Sequence, residues 1–183
     1  LWPGHVVALD TFYVGHIKGV GRIYQQTGID LFSRFGWAHV YKDKSADAST
    51  HFVEQRLIPK YYCNQASIYS VLSDNGTEFT SHKFEKMLKD YDIQHHRIPK
   101  GKPMMNGCCE RFQRTILDEF YKPLFRKTFF NSLEQLNQEL HKYLVNYNFH
   151  RLHFGLDKNG VYPIDIFKKK HSVLQHHLQS LLT

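Results

Sequence analysis

The stretch His5-Val6-Val7-Ala8-Leu9-Asp10-Thr11-Phe12-Tyr13-Val14 sets a single carboxylate inside a run of β-forming residues. Acids are depleted in strands, and an unpaired charge in a core is costly, so something must compensate Asp10. A second stretch, Val71-Leu72-Ser73-Asp74-Asn75-Gly76, ends a short apolar strand on an acid and a turn. That puts Asp74 at the carboxyl end of a strand, where open α/β sheets place their ligands. A third acid, Glu110, falls in the first turn of a helix, directly after the breaker-rich loop from Pro99 to Gly107.

Singly, each acid has an ordinary explanation. Asp10 suits a strand edge, Asp74 an Asx turn in Asp-Asn-Gly, and Glu110 a helix N-terminus that favours negative charge. Jointly they need a cation. Two such charges at about 4 Å repel by roughly 4 kcal/mol at an effective dielectric of about 20. Their pKa values would rise unless a cation arrived. Hard oxygen donors suit Mg²⁺ or Mn²⁺. Two such ions about 4 Å apart can activate a nucleophile and stabilise a leaving oxygen at one phosphorus.

Working outward, strand-like segments from His5 to Val14, Arg22 to Asp30 and Phe35 to Tyr41 follow one another closely and predict an antiparallel meander. The period then changes. Ser45 can cap a helix that stops before Pro59, and Ser81 can cap another that runs to about Asp90. Ser67 to Ser73 and Ile93 to Ile98 read as short strands. A helix from about Gly107 should end near Tyr121, before Pro123. Ser132 with Gln135 makes a capping box for a last long helix. Its stripe of Leu133, Leu136, Leu140, Leu144 and Tyr147 reads as core, with a partner-binding face as the alternative. The whole predicts an α/β fold: a five-stranded mixed sheet with helices on both faces. The core should occupy 1–168, followed by a basic linker and amphipathic tail over 169–183.

The chain has 183 residues, which suits one domain, and its 42% hydrophobic content excludes global disorder. Its net charge of +7 favours a polyanionic partner. From Arg97 to Lys127 there are eight Lys and Arg against three acids, so most of that charge surrounds Glu110. Three cysteines without a C-x-x-C spacing argue against a disulfide framework or a thiolate zinc site, and fit a reducing compartment. The adjacent pairs His95-His96 and His176-His177 diverge on strands and helices and make a poor zinc site. No apolar run of about 18 residues is present, so no membrane span is expected. The opening Leu1 suggests a piece of a longer protein.

At this point the sequence resembles the retroviral-integrase-like superfamily, and within it the bacterial insertion-sequence transposases. Ala8-Leu9-Asp10-Thr11 resembles the first aspartate motif, Ile29-Asp30-Leu31-Phe32-Ser33-Arg34 the second-strand segment, and Ser73-Asp74-Asn75-Gly76-Thr77-Glu78-Phe79 the second catalytic motif. Pro103-Met104-Met105-Asn106-Gly107-Cys108-Cys109-Glu110-Arg111-Phe112 resembles the third, and the 35 residues between Asp74 and Glu110 are typical of the family. Tyr147-Asn148-Phe149-His150-Arg151-Leu152-His153 resembles the transposase signature Tyr-Asn-x-x-Arg-Pro-His, with Leu152 in place of Pro, and Tyr162-Pro163 resembles its later Thr-Pro. Cys108-Cys109 is an unusual pair beside Glu110.

The resemblance covers roughly residues 3 to 168. It implies a ribonuclease-H-like fold and a metal-dependent polynucleotidyl transferase that hydrolyses a DNA end and transfers the strand to a target. It assigns Asp10, Asp74 and Glu110 as catalytic, holding two Mg²⁺ or Mn²⁺ ions. The implied partners are element-end and target DNA and further copies of the chain, in the nucleoid-associated bacterial cytoplasm. An amino-terminal DNA-recognition domain, usual in the family, is expected outside this stretch. Gln113 and Arg114 should share the face of Glu110. With Arg111, Asn106, Lys100 and Lys102 they make the expected DNA contacts; Arg97, Lys122, Arg126 and Lys127 are weaker candidates. Two rivals stand beside this reading: a related nuclease drawing on Asp30 and Asp118, and a catalytically silent DNA-binding or assembly module.

Overall fold

In the computed structural model, residues 2–99, 101 and 106–169 are described. Three antiparallel strands come first: β1 (Val7–Ile17), β2 (Gly21–Asp30) and β3 (Gly36–Tyr41). Two short strands, β4 (Ser70–Ser73) and β5 (Gln94–Arg97), add in parallel on the far side of β1. The five form one mixed sheet in the order β3-β2-β1-β4-β5. β1 runs three residues past the expected Val14, with a bulge between Tyr13 and Gly15 that lets the hairpin continue.

Side chains alternate across this sheet and build a core on each face. Val7, Leu9 and Val71 pack with Phe52, Leu57, Tyr61, Phe84 and Leu88 on one face. Ala8, Ile23, Ile29 and Val40 pack with Cys109, Phe112, Ile116, Leu136, Leu140 and Tyr147 on the other. The apolar stripe of the last long helix is therefore core. Each fully buried Leu in it contributes about 1.5–3 kcal/mol relative to exposure.

The helices are α1 (Ala46–His51), α2 (Ile58–Cys63), α3 (His82–Asp90), α4 (Gly107–Ile116), α5 (Lys122–Lys127), α6 (Leu133–Phe149) and α7 (Pro163–Lys168). The hydroxyls of Ser45, Ser81 and Ser132 accept from the backbone N–H three residues on, as their sequence contexts predict. The Gln135 side chain reaches back to the N–H of Asn131 rather than that of Ser132.

Two expected helix ends are not ends. The helical path runs on past Pro59 and past Pro123, and each time a π-helical segment comes directly before: Phe52–Leu57 and Leu117–Tyr121. Proline lacks an N–H and its ring crowds the carbonyl four residues back. A widened turn shifts that carbonyl, so the helix continues in place of stopping.

The outer strand β3 is protected by α6. The Asn137 amide pairs with both the N–H and the carbonyl of Val40, and Asn148 does the same for Gly36. Two side chains thus satisfy an edge that would otherwise template association. The tail beyond residue 169 lies outside the described residues. Among the described residues, no helix is long and apolar enough to cross a membrane.

Candidate active site

Asp10 stands mid-strand on β1, facing α4, because alternation places it on the side of Ala8. Burial pushes its carboxyl up to about 6, and the neighbouring Asp74 adds repulsion. Against this, the Thr11 N–H donates to Asp10 Oδ1 at 2.8 Å, and the Gln113 amide and the Lys44 ammonium favour the charged form. The Gln113 amide also donates to the Thr27 hydroxyl at 3.3 Å.

Asp74 follows β4. Its Oδ1 accepts the Gly76 N–H at 2.8 Å, so the Asx turn and the strand-end position both hold. The Asn75 amide donates to the Ile98 carbonyl at 2.8 Å and ties this turn to the end of β5. A side chain at Gly76 would displace both acids: its Cβ would lie 2.6 Å from Glu78 Oε2 and 2.9 Å from Asp74 Oδ1.

Glu110 lies in the first turn of α4 and is exposed. The buried Cys109 thiol beside it feels the charges of both Asp10 and Glu110, which puts α4's start at the same end of the sheet. Asp10 and Asp74 are neighbours, and Glu110 does not complete a three-ligand cage with them. Among the described residues, no three His, Cys, Asp or Glu side chains are gathered closely enough to hold a metal ion. Repulsion among bare carboxylates opposes such a gathering. The donor set still fits a hard divalent cation, because Asp10 and Asp74 offer oxygens that repel each other. The buried Cys109 thiol is a poor competitor, since burial pushes it up.

The expected DNA contacts divide. Arg111 and Arg114 are exposed on α4 with Glu110. Gln113 is buried, turned toward Thr27 and Asp10, so it does not share their exposed face. Asn106 is buried as well, its Oδ1 without a hydrogen-bond partner. Helix geometry decides this: α4 lays one side on the sheet, and positions 109, 112, 113 and 116 form that side. Lys100 and Lys102 lie outside the described residues.

Asp30 is a structural anchor and not a spare catalytic acid. Fully buried, it accepts from the N–H groups of Gly4, Phe32 and Ser33 and from the Ser33 and Tyr61 hydroxyls. Asp118 pairs with Lys122 one helical turn on. His95 is engaged by Ser73 and Glu85, which answers the zinc reading of the His95-His96 pair. The three cysteines are free. In the Tyr147–His153 signature, Arg151 holds Glu119 through Nε and Nη2 and sits over the Tyr147 ring, while His153 packs edge-on against that ring. The signature clasps the end of α6 to the second π-helical segment.

One group escaped the sequence reading. Glu78 is a buried acid whose Oε1 accepts from the Thr11 hydroxyl at 2.7 Å and meets Lys44 Nζ at 3.1 Å. Its position four residues after Asp74, in an otherwise turn-forming stretch, was the available signal.

Residues 2–103 match the description "integrase core domain", and residues 91–159 match a second bearing the same description. The chain belongs to the integrase core domain family, with the ribonuclease-H-like fold of integrase and transposase catalytic cores. The transposase for insertion sequence element IS904 of Lactococcus lactis is 29% identical over 140 residues, covering 75% of this chain and 52% of that protein. A retrovirus-related Pol polyprotein from transposon TNT 1-94 of Nicotiana tabacum is 31% identical over 99 residues, which is 54% of this chain and 7% of that protein. The chain thus spans about half the length of the transposase and a small part of the polyprotein. Among solved structures, the HTLV-2 integrase catalytic core domain in complex with magnesium superposes with a TM-score of 0.72 at 19% identity, over 91% of this chain and 98% of that one. The catalytic core domain of BIV integrase gives 0.70 at 20% identity, over 94% and 99%.

Proposed function

We propose that this core hydrolyses a DNA end and joins the freed 3′-hydroxyl to target DNA. The observation that carries the reading is the Asp10–Asp74 pair, a half-buried carboxylate pushed up to about 6 next to a second one, inside this fold. Asp10, Asp74 and Glu110 would hold Mg²⁺ or Mn²⁺, which supplies nucleophile activation and charge neutralisation at the scissile phosphorus. The protein's own part is positional. Gln113 and the Thr11 N–H fix the Asp10 carboxylate, and the Asx turn with Asn75 fixes Asp74. Arg111 and Arg114 present cations beside Glu110, where they would meet the phosphates of element-end or target DNA. Lys100 and Lys102, which precede α4 in sequence, are proposed as further phosphate contacts. Two DNA ends must be handled together, so the working form is an oligomer, in the bacterial cytoplasm on nucleoid DNA, with an amino-terminal domain reading the ends.

A strand-transfer assay with the full-length protein, Mg²⁺ and DNA carrying its element ends is the test. Joined products support the reading. Cleavage without joining would make the chain a nuclease, and binding without either would make it a silent assembly module.

A further inference from the structure

Glu78 is 1% exposed and has no reason in the core to be an acid. A buried carboxylate is costly unless it is paired and hydrogen-bonded. Its Oε1 is fully engaged: the Thr11 hydroxyl donates to it at 2.7 Å and Lys44 Nζ stands 3.1 Å away. Its Oε2 is buried and has no hydrogen-bond partner, and it lies, like Asp74 Oδ1, against Gly76. An apolar or amide side chain would fill this place at lower cost. The acid therefore serves what it holds.

What it holds is Lys44. This side chain leaves the chain between β3 and α1, and its charge reaches Asp10. Its side chain remains 42% exposed although a buried carboxylate contacts its ammonium. Lysine is a flexible point charge that ordinarily wanders on a surface. Here Glu78 fixes it, and Thr11, next to Asp10 in sequence, fixes Glu78. The ammonium thus meets the Glu78 carboxylate on a side chain that keeps access to solvent, close enough for its charge to act on Asp10. A cation placed there would meet the polyanion brought to the Asp10–Asp74 pair.

We infer that Lys44, held by buried Glu78, is a DNA-phosphate contact at the edge of the Asp10–Asp74 site. The inference rests on the proposed DNA-joining function and deepens it. The competing account is that Lys44 only neutralises Glu78. The two differ in what happens when both charges go.

The experiment measures affinity for a fluorescent duplex against salt, without divalent metal, for wild type, Lys44→Arg, Lys44→Gln and the double variant Lys44→Gln/Glu78→Gln. Each phosphate neutralised contributes about −0.9 to the log–log slope. Lys44→Arg should keep the wild-type slope. Lys44→Gln should flatten it by about 0.9, the loss of one phosphate contact. The double variant contains no unpaired buried acid, so it should melt like wild type and still show the flattened slope. A wild-type slope in the double variant overturns the inference, because the lysine then serves only Glu78. A wild type that shows no salt-dependent DNA binding at all overturns the DNA-joining function, and Lys44's role with it.

Discussion

Thr27 stands directly opposite Asp10 across the β1–β2 ladder, and both side chains face Gln113 of α4. The Thr27 hydroxyl accepts from Gln113 at 3.3 Å and from Gln25 at 2.9 Å, and the Tyr121 hydroxyl donates to Gln25 at 2.7 Å. A buried polar chain thus runs from the second π-helical segment through β2 to the carboxylate pair. Such a network specifies geometry only while every member is satisfied.

Thr27→Val should therefore cost more than its small change in shape suggests. It leaves the buried Gln25 amide without its acceptor and takes one acceptor from Gln113, which keeps Asp10, at about 1–3 kcal/mol for an unsatisfied group. The check is urea unfolding. A midpoint equal to wild type would show that Gln25 and Gln113 find other partners.

Asp10→Asn should stabilise the metal-free chain, with a definite pH dependence. The Asp10 carboxyl is raised from 3.8 to about 6 by burial first and by Asp74 second. Between those values the folded chain keeps a proton that the unfolded chain releases. Stability is thus fully present below about pH 4, lost as pH rises toward 6, and level beyond. At 1.36 kcal/mol per unit, the loss reaches up to about 3 kcal/mol. Melts of both proteins in chelator from pH 4 to 8 should diverge up to pH 6 and then run parallel. A gap that is flat across pH would mean that burial does not govern Asp10.

Much of this was legible in the sequence, for reasons that can be named. Asp10 was visible because an acid breaks a β pattern, and the three serine caps were visible because capping is a local interaction. Gln113 was misjudged because i, i+3 spacing from Glu110 does not say where the sheet lies. Only the packing of Phe112 and Cys109 on β1–β3 fixes which side of α4 is buried. Glu78 was missed because its partners, Thr11 and Lys44, come from distant segments. The helix continuations past Pro59 and Pro123 were missed because a widened turn leaves no local composition signal.

Gly36→Ala should lower stability and disturb the site together. A Cβ at Gly36 would come within 2.2 Å of the Phe112 ring, which is buried on α4 two residues after Glu110. An aromatic ring with packed neighbours moves only with its helix, and overpacking of this kind costs about 1–3 kcal/mol. The paired variant Gly36→Ala/Phe112→Leu opens space and should recover part of the loss in thermal melts. No recovery would place the cost in the Asn148 clamp on the Gly36 backbone instead.

Glu110→Gln should keep the fold and DNA binding and lose both cleavage and joining. Glu110 is exposed in the first turn of α4, and no side-chain hydrogen bond caps that helix, so no packing depends on its carboxylate. Gln has nearly the same volume and helix propensity, so folding survives. A small loss is expected from the macrodipole, about 0.3–1 kcal/mol for an acid near a helix N-terminus. The neighbouring Arg111 and Arg114 are untouched, so the salt slope of DNA binding should stay at the wild-type value. What disappears is the negative charge proposed to join Asp10 and Asp74 around a divalent cation, and with it stabilisation of charge in the transition state. The measurement is paired on one preparation: a thermal melt, a salt titration of DNA affinity and a Mg²⁺-dependent strand-transfer assay. If the variant melts and binds like wild type yet joins DNA at the wild-type rate, Glu110 is not catalytic. The third acid of the site must then be sought elsewhere, and Glu78, whose unpartnered Oε2 lies against Gly76 as Asp74 Oδ1 does, becomes the first residue to test.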